Sequence, residues 1–403
     1  MSFFSWGTRT SPVSLVLDIG NGSVGASLSL VHTHSKPEVL YSVRVPIALA
    51  EKPSAEQLEL TLFQHLDACL GLIHVKGFAH TYFKNHPKEI DVVLCSFASP
   101  WFVSKTKDIT IREERPFIVS RTFLDSVVAH EAEICKEELH SEGEGMFNEE
   151  LDVVEKSITH VKINGYFIDN PIGQRTTEIT ASIYFGIIPK KIREGIELSI
   201  VKSLHVPKQH ILFHTFPLIS YTVLRDMFPK EEDYLLFDIA GETTDISLVR
   251  SGVLYETRTF PSARNFLLRH VASVVGVPIE VAKSYMRMYT EDTMISELRV
   301  QIKKALDDIE TEWNIYLADA LSNFTRQEVL PHKVFLTTDT DTASVFIHYL
   351  QAEKIDETSL WRKSIDIVHI EPKLLSAFVT TDPHVPCDEF LAIETVFLHK
   401  FRN

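Results

Sequence analysis

The chain has 403 residues, 44% of them hydrophobic and 24% charged, which fits an ordinary globular protein long enough for two or more subdomains. Asp and Glu outnumber Lys and Arg 55 to 40, a formal charge of −15, which excludes the basic footprint of a nucleic-acid binder and argues against autonomous binding to anionic lipid. The four cysteines, Cys69, Cys95, Cys135 and Cys387, form no C-x-x-C pair, so no zinc or iron–sulfur spacing exists and a reducing compartment is expected.

The opening MSFFSWG reads as a flexible tail. No basic start or apolar signal region precedes Leu15, and no apolar run is long enough to span a bilayer, so a cytoplasmic protein is expected. The first motif is LVLDIGNGSVG, residues 15–25, where Gly20, Gly22 and Gly25 have the G-x-G-x-x-G spacing of a dinucleotide-binding Rossmann unit. A Rossmann helix should start at the third glycine. Instead Ala26, Leu28 and Leu30 alternate with serines, and after a polar HTHSKPE the run VLYSVRVPI alternates again, which is the period of strands. The loop therefore turns back as a hairpin whose backbone amides can face a phosphate, and the dehydrogenase reading fails. Asp18 ends the first strand, where a carboxylate suits a magnesium ion bridging to that phosphate.

Residues 89–111 read as two strands joined by a turn, with Cys95 a buried small hydrophobe. Behind a polar start at Ser120 and Thr122, Phe123, Val127, Val128 and Ile134 recur at helical spacing. The acidic run at 140–156 reads as a solvated loop. Ile179, Ala181, Ile183 and Phe185 alternate as a strand, KKIREGIELSIVKSL puts Ile192, Ile196 and Ile200 on one helical face, and residues 211–228 hold a strand and a helix.

Then the first motif returns. Residues 233–261, DYLLFDIAGETTDISLVRSGVLYETRTFP, repeat the order strand, Asp, small-residue loop, strand, turn, strand. Asp238, Gly241, Glu242, Thr243 and Thr244 parallel Asp18, Gly20, Asn21, Gly22 and Ser23. Two such hairpins facing one another could each hold one side of a triphosphate, with magnesium between Asp18 and Asp238. Helical patterns follow at 264–276, 278–290 and 294–324. In the last, Ile302, Leu306, Ile309 and Trp313 form a stripe read as core. Near the end, Phe390, Ile393, Phe397 and Phe401 give one apolar face followed by Lys400 and Arg402, read as a buried final helix rather than a membrane helix.

The paired hairpins resemble the two phosphate motifs of the actin-like ATPase superfamily. The cluster Ile163, Asn164, Gly165, Tyr166, Phe167, Ile168, Asp169, Asn170, Pro171, Ile172 and Gly173 resembles the segment of the bacterial division protein FtsA that crosses its small inserted domain, an insertion that the pilus platform protein PilM shares. The resemblance covers residues 13–398 and implies an α/β, actin-like (ribonuclease H-like) fold, with two related halves around an interdomain cleft and a small inserted α+β domain in the first half. The boundaries it implies are 1–97 with 186–232 and 356–403 for the first half, 98–185 for the insertion, and 233–355 for the second half.

The same resemblance implies ATP with magnesium in the cleft, contacted by Asp18, Gly20, Asn21, Gly22, Ser23, Asp238, Gly241, Glu242, Thr243, Thr244, Thr338 and Asp339. Magnesium would sit at Asp18 and Asp238 through water. Asp238 and Glu242 are the candidates to orient an attacking water, for at most a weak ATPase. The implied function is an FtsA-like cytoskeletal scaffold or recruiter in cell division, self-associating into a filament or ring. The alternatives are a PilM-like adaptor in type IV pilus assembly that binds a peptide of a membrane partner, and a degenerate actin-like fold that no longer binds nucleotide. Membrane association would be indirect, at the inner face of the cell membrane.

Three departures stand against efficient ATP use. Thr337, Thr338, Asp339 and Thr340 stand where the family's adenosine loop has glycines. Pro261, Ser262, Ala263 and Arg264 replace a second glycine pair. Lys283 and Met286 stand where related proteins often carry Glu and Lys toward the nucleotide. No H-E-x-x-H occurs among the 18 histidines, and Gly22-Ser23-Val24-Gly25 is a near miss for a nucleophile elbow in the wrong setting. A small-molecule kinase would need a catalytic base for which the sequence offers no clear candidate.

Overall fold

In the computed structural model, four runs, VSLVLDI, VVLCSF, YLLFDI and VFLTT, are buried along their whole length. Such continuous burial belongs to strands covered on both faces, and these are the parallel centres of two sheets. The structure describes residues 12–47, 55–142, 150–324, 329–352 and 364–402. The aromatic N-terminal stretch and residues 143–149 of the acidic run lie outside them.

The first half begins with an antiparallel meander, β1 (Val13–Ile19), β2 (Ser23–Leu30) and β3 (Glu38–Pro46), followed by α1 (Ala55–Val75) and β4 (Val92–Phe97). The chain then enters a separate unit, β5 (Val103–Ile118), α2 (Arg121–Glu142), β6 (Leu151–Ile163), β7 (Tyr166–Phe167) and β8 (Arg175–Pro189), and returns through α3 (Lys190–Leu204), β9 (Ile211–Thr215) and α4 (Phe216–Met227). The second half repeats the meander as β10 (Tyr234–Ile239), β11 (Thr244–Arg250) and β12 (Val253–Phe260). After it come α5 (Arg264–Val275), α6 (Ile279–Thr290), α7 (Ser296–Phe324), β13 (Lys333–Thr338), α8 (Ala343–Ala352) and β14 (Asp366–His369). The last elements, α9 (Pro372–Leu375), β15 (Thr380–Thr381) and α10 (Glu389–Arg402), go back to the first half. The sheets run β15-β3-β2-β1-β4-β9, β12-β11-β10-β13-β14 and, in the inserted unit, β5-β8-β6-β7.

The strands within residues 89–111 both exist, and they fall in different sheets. β4 lies parallel to β1, whereas β5 pairs with β8 in the inserted sheet. The chain changes sheets at buried Trp101, whose indole N–H donates to the Gly20 carbonyl at 3.0 Å.

The two meanders are built to the same register. Asp18 sits opposite Gly25 and Asp238 opposite Asp245. Both turns close with the same bond, Gly20 N–H to Ser23 O at 3.1 Å and Ala240 N–H to Thr243 O at 3.2 Å. Strand alternation then sorts the faces. Leu15, Leu17 and Ile19 pack into a core with Leu62 and Leu66 of α1 and Ile192 and Ile196 of α3. Val16 packs the other way, into a core that also takes Leu236 and Phe335 of the second half and residues of α4 and α10. This second core joins the halves.

The periodic helices behave as their spacing predicts. Ser120 caps α2 by accepting the Phe123 N–H at 3.1 Å. Ile302, Leu306, Ile309 and Trp313 of α7 are buried against α5 and α8. In α10, Phe390, Ile393 and Phe397 are buried in the shared core. Among the described residues no single helix is long and apolar enough to cross a membrane.

Candidate functional site

The ends of β1 and β10 bring Asp18 and Asp238 to the same region, each on a buried face beside a loop. Of the predicted site residues, Gly20, Asn21, Gly22 and Ser23 form one loop and Gly241, Glu242, Thr243 and Thr244 the other, while Thr338 ends β13 beside Ile239. The loops touch. A Cβ on Gly22 would lie 2.6 Å from the Gly241 Cα, and one on Gly241 would overlap the Gly22 backbone, so glycine is required at both positions for close approach.

Asn21 bridges the contact. Its side chain, in a residue 2% exposed, donates to the Ser99 carbonyl at 2.7 Å and to Thr243 Oγ1 at 2.8 Å, and accepts the Glu242 backbone N–H at 2.9 Å. The Gly241 carbonyl accepts the Asn265 N–H at 2.7 Å. Glu242 turns toward α5, where Arg269 binds both of its oxygens at 2.7 and 2.8 Å. Thr244 donates to the Ser262 carbonyl.

Arg44 was not legible as a site residue. It lies on β3 opposite Gly25, and a Cβ on Gly25 would come within 2.9 Å of its guanidinium. The third glycine of the G-x-G-x-x-G spacing thus makes room for an arginine. That guanidinium binds Asp18 at 2.7 Å, Ser23 at 2.8 Å, and Asp388 through two nitrogens at 2.6 and 2.9 Å. Asp388 also caps α10 by accepting the Leu391 N–H at 3.1 Å. A charged residue within the apolar alternation of VLYSVRVPI was the available signal.

On the nucleoside side, two of the noted departures complete one another. Arg264, in the stretch that lacks glycines, pairs with Asp339 at 3.0 Å and with Asp341 at 3.0 and 2.5 Å, both in the loop after β13. Lys283 instead binds Glu280 at 2.9 Å, and Met286 is buried in the helical core.

The acids differ in charge preference. Burial pushes Asp238 well above the usual carboxylate range, helped by Asp245 and Asp18, and it accepts from Thr337 Oγ1 at 3.1 Å. Burial likewise raises Asp18 and Asp339 against the opposing pull of their arginines, and raises Glu394, which lies beneath Asp18 on α10. Burial opposes ionisation of Asp388 too, but Arg44 outweighs it and holds Asp388 low. Asp245 is pushed up to about 6 and Glu389 to about 8, burial being the main cause in each.

ATP with magnesium, the group that the resemblance implies, can be tested against this arrangement. Phosphate binding by such loops needs free backbone N–H groups and a gap between them. Here the loops are in backbone contact, the Glu242 N–H is taken by Asn21, and Asp18 is taken by Arg44. As arranged, the residues do not fit a magnesium triphosphate.

No family model matches the sequence, and no curated protein matches it. Among solved structures, a PilM–PilN type IV pilus biogenesis complex aligns over 96% of this chain and 96% of its own, with a TM-score of 0.55 at 14% identity. The ethanolamine utilization protein EutJ from Carboxydothermus hydrogenoformans aligns over 96% and 89%, with a TM-score of 0.44 at 10% identity. A Bacteroides thetaiotaomicron protein of unknown function with an actin-like ATPase fold aligns over 96% of both chains, with a TM-score of 0.40 at 12% identity.

The chain therefore has the actin-like α/β fold, two related halves with an inserted domain in the first. Its likeness to the PilM–PilN structure runs the full length of both and is a likeness of fold.

Proposed function

We propose that this protein is a non-enzymatic actin-fold scaffold that holds a protein partner, in the manner of a pilus assembly platform of the PilM kind. The observation that carries the reading is the contact between the two hairpin loops. A fold whose relatives close on a nucleotide is here closed on itself, which suits a protein used for its shape. The full-length likeness to a PilM–PilN complex supports a protein as the partner. The protein would work in the cytoplasm and reach the membrane through that partner.

The test uses peptides from the cytoplasmic segments of membrane proteins encoded beside its gene, titrated by fluorescence anisotropy. The expected result is one saturable peptide at one-to-one stoichiometry and no ATP hydrolysis above background. Failure of every such peptide, or steady turnover of ATP, overturns the reading.

A division scaffold that self-associates is favoured by one observation. The segment that carries the FtsA resemblance is exposed, with Tyr166 79%, Phe167 52% and Ile172 51% accessible. Sedimentation that shifts with concentration, and is abolished by Tyr166→Asp, would favour it.

A further inference from the structure

We propose that the chain supplies its own substitutes for the ligand of this cleft, Asn21 standing in for a bridging phosphate and the Arg44 guanidinium for the divalent cation, so that the closed form is the resting form without nucleotide. The inference deepens the scaffold reading, but it rests on loop geometry and not on any partner.

Asn21 carries the first part. A phosphate between two such loops accepts N–H groups from both. The Asn21 carbonyl oxygen accepts one from the opposite loop, that of Glu242, at 2.9 Å. Its amide nitrogen does what phosphate cannot, donating to a carbonyl, Ser99 O, at 2.7 Å and to Thr243 Oγ1 at 2.8 Å. An asparagine thus satisfies the Ser99 carbonyl, which would repel an anion. Gly22 and Gly241 let the backbones meet around it.

Arg44 carries the second part. A divalent cation would gather carboxylates, and the guanidinium gathers two, Asp18 and Asp388, together with the Ser23 hydroxyl. Its fork binds Asp388 in the bidentate geometry that a fixed, permanently charged group favours. Gly25 leaves the space it occupies. In the second half, Arg264 and Arg269 neutralise Asp339, Asp341 and Glu242 in the same way. Each acid tied here is neutralised by a cation covalently part of the chain.

Hydrogen exchange of the full chain, followed by mass spectrometry, tests this. Peptides covering residues 18–24 and 238–244 should be protected on the order of a hundredfold over the unstructured rate with no ligand present. Adding ATP with magnesium should leave that protection unchanged. Asn21→Ala should raise exchange in both loops together. Magnesium alone should raise the melting temperature of Arg44→Ala, where two carboxylates have lost their cation, and leave the wild type unmoved. Loops that exchange freely until ATP with magnesium is added overturn the proposal, as does a wild type stabilised by magnesium or an Arg44→Ala protein indifferent to it. Should Arg44→Ala fail to fold, the wild-type exchange measurements decide alone. Peptide capture is read separately, so failure of the scaffold reading leaves these results standing.

Discussion

Asp388 has two tasks on one carboxylate, capping α10 and binding Arg44, and they can be separated. Asparagine caps a helix about as well as aspartate but cannot pair with a guanidinium charge. Asp388→Asn should cost about 3 kcal/mol through the broken ion pair, and Asp388→Ala about 1 kcal/mol more through the lost cap, measured by urea unfolding. The neighbouring Glu389 makes a pH prediction. Its pKa is about 8 in the fold against an ordinary 4.5, so the native state holds a proton that the unfolded chain has released. The stability this contributes is complete below pH 4.5 and is lost as pH rises to 8. Glu389→Gln should flatten the stability profile across that window. At this scale the sequence was half legible. Asp18, Asn21 and the glycines announced themselves through a repeated pattern. Arg44 did not, because the partner that explains it, Asp388, is 344 positions away.

Elements are where local pattern is most informative, because a helix or strand repeats its own burial. The α7 stripe was readable for that reason. What packing adds is a choice among side chains. Trp313 is fully buried, touching the rings of Phe260, Phe346 and Tyr349, yet its indole N–H has no hydrogen-bond partner among the described residues. Its value is thus all in packing, and the buried donor is a cost. Trp313→Ala should lose about 3–5 kcal/mol, whereas Trp313→Phe, which removes that donor, should lose under about 2 kcal/mol by thermal unfolding. The strand patterns of β4 and β5 alone carry no statement of which neighbour each will pair with; only the resemblance, with its insertion from residue 98, set them in different units.

For the whole molecule, the relation of the halves was visible in the repeat of strand, Asp, loop and strand. Their closure was not, since it depends on two glycines, Gly22 and Gly241, meeting from different halves of the chain. Gly241→Ala should therefore do little within its own hairpin and much between halves. It is expected to cost about 1–3 kcal/mol and to enlarge the radius of gyration seen by small-angle scattering. A change in stability with no change in dimensions would place the strain inside the loop instead.

The shared core that takes Val16 from the first strand and Val396 from the last helix sets an order on biosynthesis. β1 is translated long before α10, and its underside is not fully covered until α10 is made. The growing chain must therefore carry an incompletely covered sheet face while the second half is synthesised, as a natural client for holding chaperones. Ribosomes that stop before residue 389 would release a chain whose shared core lacks α10, marked for aggregation or degradation.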